Sequence, residues 1–143
     1  MSFATARRDI EKRFDANWAS TLIAWDNVNF VPPKDDHWVR FSIRDGSVQR
    51  KNIGAAGTFR HFGIIFVQLY APKDTGTQVL RGYADDVAGI FRDARFNGVV
   101  CQEAELTNIG VTKGSALSSG SLPYYQINIS IPFYWDGTYT FTG

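Results

Sequence analysis

From Tyr125 to Ile131 the chain alternates strictly, with apolar Tyr125, Ile127, Ile129 and Ile131 separated by polar Gln126, Asn128 and Ser130; Phe133 continues the apolar series. A period of two sends successive side chains to opposite faces of a strand, so this stretch needs a core on one face only. His37 to Arg44 repeats the demand, with Val39, Phe41 and Ile43 facing one way and Trp38, Arg40, Ser42 and Arg44 the other. The chain holds two segments able to cover such a face. Phe3, Ala6, Ile10, Phe14 and Trp18, spaced 3, 4, 4 and 4 residues apart after a capping Ser2, predict one amphipathic helix. Val79, Leu80, Tyr83, Val87, Ile90 and Phe91 predict the second, with Arg81, Asp85 and Asp86 turned away and Thr75-Gly76-Thr77-Gln78 as a capping box.

The remaining segments fill in the sheet. Thr21 to Trp25 predicts an edge strand, and Pro32, Pro33, Asp35 and Asp36 a loop. Asp45-Gly46 is a hairpin signal, which predicts that Ser47 to Ile53 turns back on the preceding strand and that Gly54 to Gly57 makes the next turn. Phe59 to Tyr70 is apolar on both parities and predicts a central strand covered on both faces. Asn97-Gly98 turns the chain into a strand over about Val99 to Ile109, and Gly114 to Ser121 is a Gly/Ser-rich loop. The expected fold is α+β, a mainly antiparallel mixed sheet with two helices packed on one face, in a single domain spanning 1–143.

Several function classes are disfavoured by composition. The 143 residues carry 15 Lys plus Arg against 14 Asp plus Glu, a net charge of +1, where proteins that grip nucleic acid need a clear basic surplus. No apolar window is long enough to span a membrane, and charges at Arg7, Arg8, Asp9, Glu11, Lys12 and Arg13 replace the apolar core of a signal peptide, so synthesis in the cytoplasm is expected. One cysteine, Cys101, makes no intrachain disulfide and reads as a small buried hydrophobe. Phe 11, Tyr 6 and Trp 4 are many for so small a domain, which points some rings toward an interface.

Catalytic patterns are weak. Asp74-Thr75-Gly76 is the aspartic-protease tripeptide, yet Pro72-Lys73 precede it and a helical stripe follows, so it reads as a helix start with Thr75 as cap. Arg60-His61-Phe62-Gly63-Ile64-Ile65-Phe66-Val67 partly matches the RNA-recognition pattern, with His61, Ile64 and Val67 where that pattern needs other residues; an RNA-binding or other sheet-face recognition module is the alternative reading. His37 and His61 lack neighbours at ligand spacing, and Glu103 with Glu105, like Asp85 with Asp86, reads as a solvated face. No enzyme, metal or cofactor is expected. What stands out is local charge: Arg40, Arg44, Arg50, Lys51 and Arg60 against Asp45 alone, five minus one, or +4. Such a run reads first as a solvated hairpin, and the alternative is a surface facing an acidic partner or a passing nucleic acid.

The assembled pattern resembles the tail terminator proteins of long-tailed bacteriophages and prophages. Carrying the resemblance are Met1-Ser2-Phe3-Ala4-Thr5, the run Ile23-Ala24-Trp25-Asp26-Asn27-Val28-Asn29-Phe30-Val31-Pro32-Pro33, Trp38-Val39-Arg40-Phe41, Gly63 to Pro72 with Gly76-Thr77, and Ile131-Pro132-Phe133-Tyr134-Trp135. It runs over about 1–135, leaving 136–143 as a C-terminal extension. The resemblance implies a structural virion protein of the tail and neck, with an α+β fold. It further implies a homohexameric ring that caps the tail tube, stops its polymerisation and offers the surface for head-tail joining. Its partners would be the tail tube protein, a head-tail connector or adaptor, and double-stranded DNA passing without sequence readout, with no membrane. Under that reading Arg40, Arg44, Arg50, Lys51 and Arg60 are candidates for a channel wall, or for a subunit junction facing Asp85 and Asp86. Gly114, Ser115, Leu117, Ser118, Ser119 and Gly120 are candidates for a partner-contact loop that orders on assembly.

Overall fold

The computed structural model describes residues 2–33, 35–52, 56–112 and 124–140. Helix α1 (Phe3–Asn17) opens on a reciprocal cap: the Thr5 N–H donates to the Ser2 hydroxyl at 3.1 Å and the Ser2 N–H to the Thr5 hydroxyl at 2.8 Å, which satisfies two amides that helix geometry leaves without partners. Strand β1 (Leu22–Trp25) follows, then β2 (Trp38–Arg50), β3 (Ala56–Pro72) and helix α2 (Gln78–Phe91). The chain continues through β4 (Arg95–Phe96), β5 (Val99–Cys101), β6 (Glu105–Thr112) and β7 (Tyr124–Thr140). The strands make one sheet in the order β1-β2-β3-β7-β5-β4, with β6 also pairing β7 and only β1 parallel to its neighbour.

Both helices lie on one face, and both apolar stripes reach one core. Ala6, Ile10 and Phe14 of α1 and Leu80, Ala84, Val87 and Phe91 of α2 meet Val39, Phe41, Ile43, Ile65, Val67, Leu69, Ile127, Ile129 and Ile131 of the sheet. This is the alternation-plus-stripe arrangement expected from the sequence. Arg13 ties the helices together, its Nε donating to the Ile90 carbonyl at 2.8 Å. Arg81 ties α2 to β6 through the Asn108 side chain at 2.9 Å. The Asn97-Gly98 turn also forms as expected, with positive φ at both residues (47° and 85°), the geometry that matches strand twist in a two-residue hairpin.

Four expectations are corrected. Asp45-Gly46 is not a hairpin: β2 runs straight through it, and pairing passes from Asp45↔Gly63 to Val48↔His61, so one extra residue on β2 makes a bulge. Gly46 suits that bulge because a Cβ there would sit 3.2 Å from the Phe62 carbonyl oxygen. The β3 strand is covered on both faces only at its Tyr70 end; before that, Ile64 is 41% exposed and Phe62 and Phe66 are half-buried on the side opposite the helices. Thr75 does not cap α2: the N-cap is Thr77, without a side-chain bond, and the Thr75 hydroxyl donates to the Pro72 carbonyl at 2.7 Å. The strand expected from Val99 to Ile109 is two strands, β5 and β6, both lying along β7 and interrupted at 102–104. The Gly114 to Ser121 loop and Gly54-Ala55 lie outside the described residues.

Strands β3 and β7 are 17 residues each and pair along their whole length, from Ala56↔Thr140 to Pro72↔Tyr124. At about 3.3 Å per residue that is a ribbon of about 55 Å, far beyond an ordinary strand. Its register depends on Gly63, where a Cβ would come within 2.6 Å of Phe133 Cζ and 2.9 Å of the Arg44 carbonyl oxygen. Gly63→Ala is therefore expected to destabilise by about 1–3 kcal/mol, because backbone as well as a buried ring must shift. Urea unfolding measures it, and an unchanged midpoint would contradict this packing.

Candidate functional site

The face left bare by the helices is set by strand parity. Three transverse rows lie on it: Arg40–Gln68–Asn128, Ser42–Phe66–Ser130 and Arg44–Ile64–Pro132. Below them come Phe62 beside Tyr134 and Arg60 beside Asp136. One end of this face has a small core of its own, in which Trp38 stacks on Tyr70 at 4.1 Å with Tyr124 edge-on and Phe30 laid against Trp38. The Tyr124 hydroxyl pins the loop before β2 by donating to the Pro33 carbonyl at 3.0 Å.

The five basic residues singled out in the sequence separate here. Arg40 and Arg44 stand on the bare face, Arg44 at 4.9 Å over the Phe66 ring, and among the described residues no carboxylate forms an ion pair with either. Arg60 shares that face but is held: its guanidinium lies 3.9 Å over Tyr134 and donates to both oxygens of Asp136, at 3.0 and 3.2 Å. Lys51 reaches the same carboxylate at 3.3 Å. Arg50 goes elsewhere. The bulge reverses the parity of β2, so Arg50 opposes Phe59 on the helix-side face, stacks 5.5 Å over its ring and donates to the Asn52 carbonyl at 2.6 Å. Sequence counting missed Asp136, which lies 76 residues from Arg60; with it, five cations face two carboxylates, a net of +3. Only a signal for β3–β7 pairing could have found it.

Arg60 and Asp136 perturb each other as a forked ion pair should. Hydrogen bonds from Arg60, then from Lys51, hold the Asp136 carboxyl below the usual carboxylate range against the opposing effect of burial. The linkage has a definite sign. A carboxyl with a lowered folded value contributes fully above its unfolded value and loses that contribution as pH falls through the folded one. Amide protection of the ribbon end around Arg60 is expected to fall first on acidification. In Asp136→Asn the acid step should vanish, and an unchanged step would contradict the assignment.

Nucleophilic or metal chemistry finds little to use. Asp74 is exposed at a left-handed turn position, φ 66°. Burial pushes the Cys101 thiol up to about 12, far from a reactive thiolate. His61 is buried, stacked 3.9 Å on Trp135 with Phe3 edge-on, and burial lowers its pKa. Among the described residues no three His, Cys, Asp or Glu side chains gather as a metal site, and no helix is long and apolar enough to cross a membrane.

The family model described as phage tail terminator protein matches residues 7–133. The chain belongs to the phage tail terminator family. Matches to solved structures number 13 chains. One of them covers 100% of this terminator and 99% of that chain at TM-score 0.60 and 19% identity, which speaks to the fold alone. No curated protein matches. Family membership makes this terminator a structural protein of the virion tail that interacts with tail and head components. The family match ends at 133, so Tyr134, Trp135 and Asp136 lie just past it although they continue β7.

Proposed function

We propose that this terminator forms a ring, six-membered as its resemblance implied, that seats on the completed tail tube, ends tube growth and presents the neck surface to which the filled head joins. The whole chain acts as one domain, and 136–140 continues the β3–β7 ribbon rather than starting a separate unit. The bare face of the sheet is turned toward the channel. What supports this is the placement of Arg40 and Arg44: two arginines without carboxylate partners among the described residues, on the one face that no helix covers. A channel that passes duplex DNA without reading it needs diffuse, weakly attractive positive charge rather than base-reading groups.

Arg40→Glu with Arg44→Glu is the test. The double variant is expected to form rings and tails of normal length while infectious yield falls at least about tenfold, since two reversals change the charge facing phosphate by four units per subunit. Normal yield would overturn the channel assignment. Loss of rings, with wild-type assembly weakening steeply between low and moderate salt, would move these arginines to a junction with Asp85 and Asp86. Overlong tails are expected when the chain is deleted, and tails of normal length would remove the capping role.

A further inference from the structure

The exposed apolar side chains are concentrated at the two ends of the sheet. Leu22, Val28 and Val31 lie at and just after β1, while Leu106, Ile109 and Val111 lie on β6 with Val79 on the nearby α2. Both strands are open edges among the described residues, β1 pairing only with β2 and β6 only with β7. Neither strand carries the lysine or proline by which natural edges discourage pairing; β6 has a single charge, Glu105.

Register puts these edges opposite each other. Following the pairing across the sheet, Trp25, Phe41, Val67, Ile129 and Leu106 share one row. Ala24, Arg40, Gln68, Asn128 and Thr107 share the next. The two open edges are therefore level, on opposite sides of one sheet. Strand directions agree as well: β1, β2 and β7 run one way and β3 and β6 the other. A neighbour placed by rotation without slide would set its β1 antiparallel to this subunit's β6, with each facing pair on a common face, Leu106 beside Trp25 on the helix side and Thr107 beside Ala24 on the bare side.

The helix side supplies a matching shape. Beyond β1, the outer flank of α1 and Trp25 line an open groove of about 520 Å³, with Ala4, Arg8, Lys12 and Asp15 on its walls. Val79, Leu106 and Val111 are exposed at the far edge, where Arg81 joins α2 to β6, and would face such a groove on the next copy. Asp85, one helical turn from the Arg81 that contacts β6, would come toward the groove's Lys12, which has no ion pair among the described residues, whereas Arg8 is paired with Asp9 at 3.3 Å.

We infer that a second copy of this chain is the occupant, and that the ring closes by adding the β1 edge of each subunit to the β6 edge of the next, with the exposed Val79, Leu106 and Val111 turned to the α1–Trp25 groove. This rests on the ring reading and specifies its junction. A head-to-tail contact between two different patches repeats until it closes, and level edges favour closure over a rising helix. Five strands per subunit at about 4.8 Å give about 24 Å of wall. Six subunits then make a circumference of about 144 Å and, after side chains of about 5 Å, a lumen of about 35 Å, wider than a DNA duplex.

Two measurements test it. Leu22→Cys and Thr107→Cys single variants, mixed and treated with a short bismaleimide, are expected to cross-link to each other and not to themselves. Leu106→Lys with Val111→Lys is expected to fall to single-chain mass by light scattering while keeping its far-ultraviolet circular dichroism, with the dissociation constant of the junction raised at least about 100-fold. Wild-type rings at tail ends or in solution, without that cross-link and with the lysine variant still assembled, would overturn the junction and leave the ring reading standing. Wild-type protein that forms no ring in solution or at tail ends would overturn the ring reading and the junction with it.

Discussion

Phe14→Ala is expected to cost about 3–5 kcal/mol, the range for removing a fully buried aromatic ring. Phe14 is 0% exposed and sits where both helices meet the sheet. It stacks on Phe41 at 4.6 Å, on Trp18 at 5.5 Å and on Phe91 at 6.1 Å, with Trp25 edge-on at 6.2 Å. No neighbour can collapse into the gap without moving a helix, so the cavity term adds to the lost burial. Denaturant unfolding should show the loss, and a change below about 1 kcal/mol would mean that α1 does not seal this core.

Trp38→Ala is expected to cost a similar 3–5 kcal/mol or so, with a different signature. Trp38 belongs to the separate cluster on the other side of the sheet, under Phe30 and against Tyr70 and Tyr124. Its removal should release the loop before β2, raising amide exchange around Phe30 and leaving protection of α1 and α2 near wild type. Trp38→Phe should cost much less, because the indole N–H makes no hydrogen bond among the described residues and deleting it leaves no acceptor orphaned. Equal exchange changes on both sides of the sheet would show that the two clusters are one cooperative core.

Much of the framework is legible in local pattern. The α1 stripe, the alternations in β2 and β7 and the Asn97-Gly98 turn each report a geometry that a few neighbouring residues determine. The Asp45-Gly46 dipeptide misled for a related reason: the same two residues suit a tight turn or a bulge, and the choice depends on whether β3 continues opposite them, which it does as far as Phe59. The half-bare face of β3 misled likewise, since a strand apolar on both parities signals cover on both sides, whereas here Phe62, Ile64 and Phe66 are left on a face where Arg44 lies over Phe66 and Arg60 over Tyr134.

The sequence by itself determined the α+β class, the two helices on one face and the core that joins them, because helical and strand periodicities are local and select their buried side without reference to any partner. It also carried the motifs of the tail terminator family, which the match over 7–133 bears out. Tertiary structure alone decided which basic residues act together. The bulge turned Arg50 away from Arg44, and β3–β7 pairing brought Asp136 to Arg60 and Lys51 across 76 and 85 residues. Tertiary pairing also made the β1 and β6 edges level. These are consequences of long-range register, and register depends on contacts between segments that carry no trace of one another in local sequence.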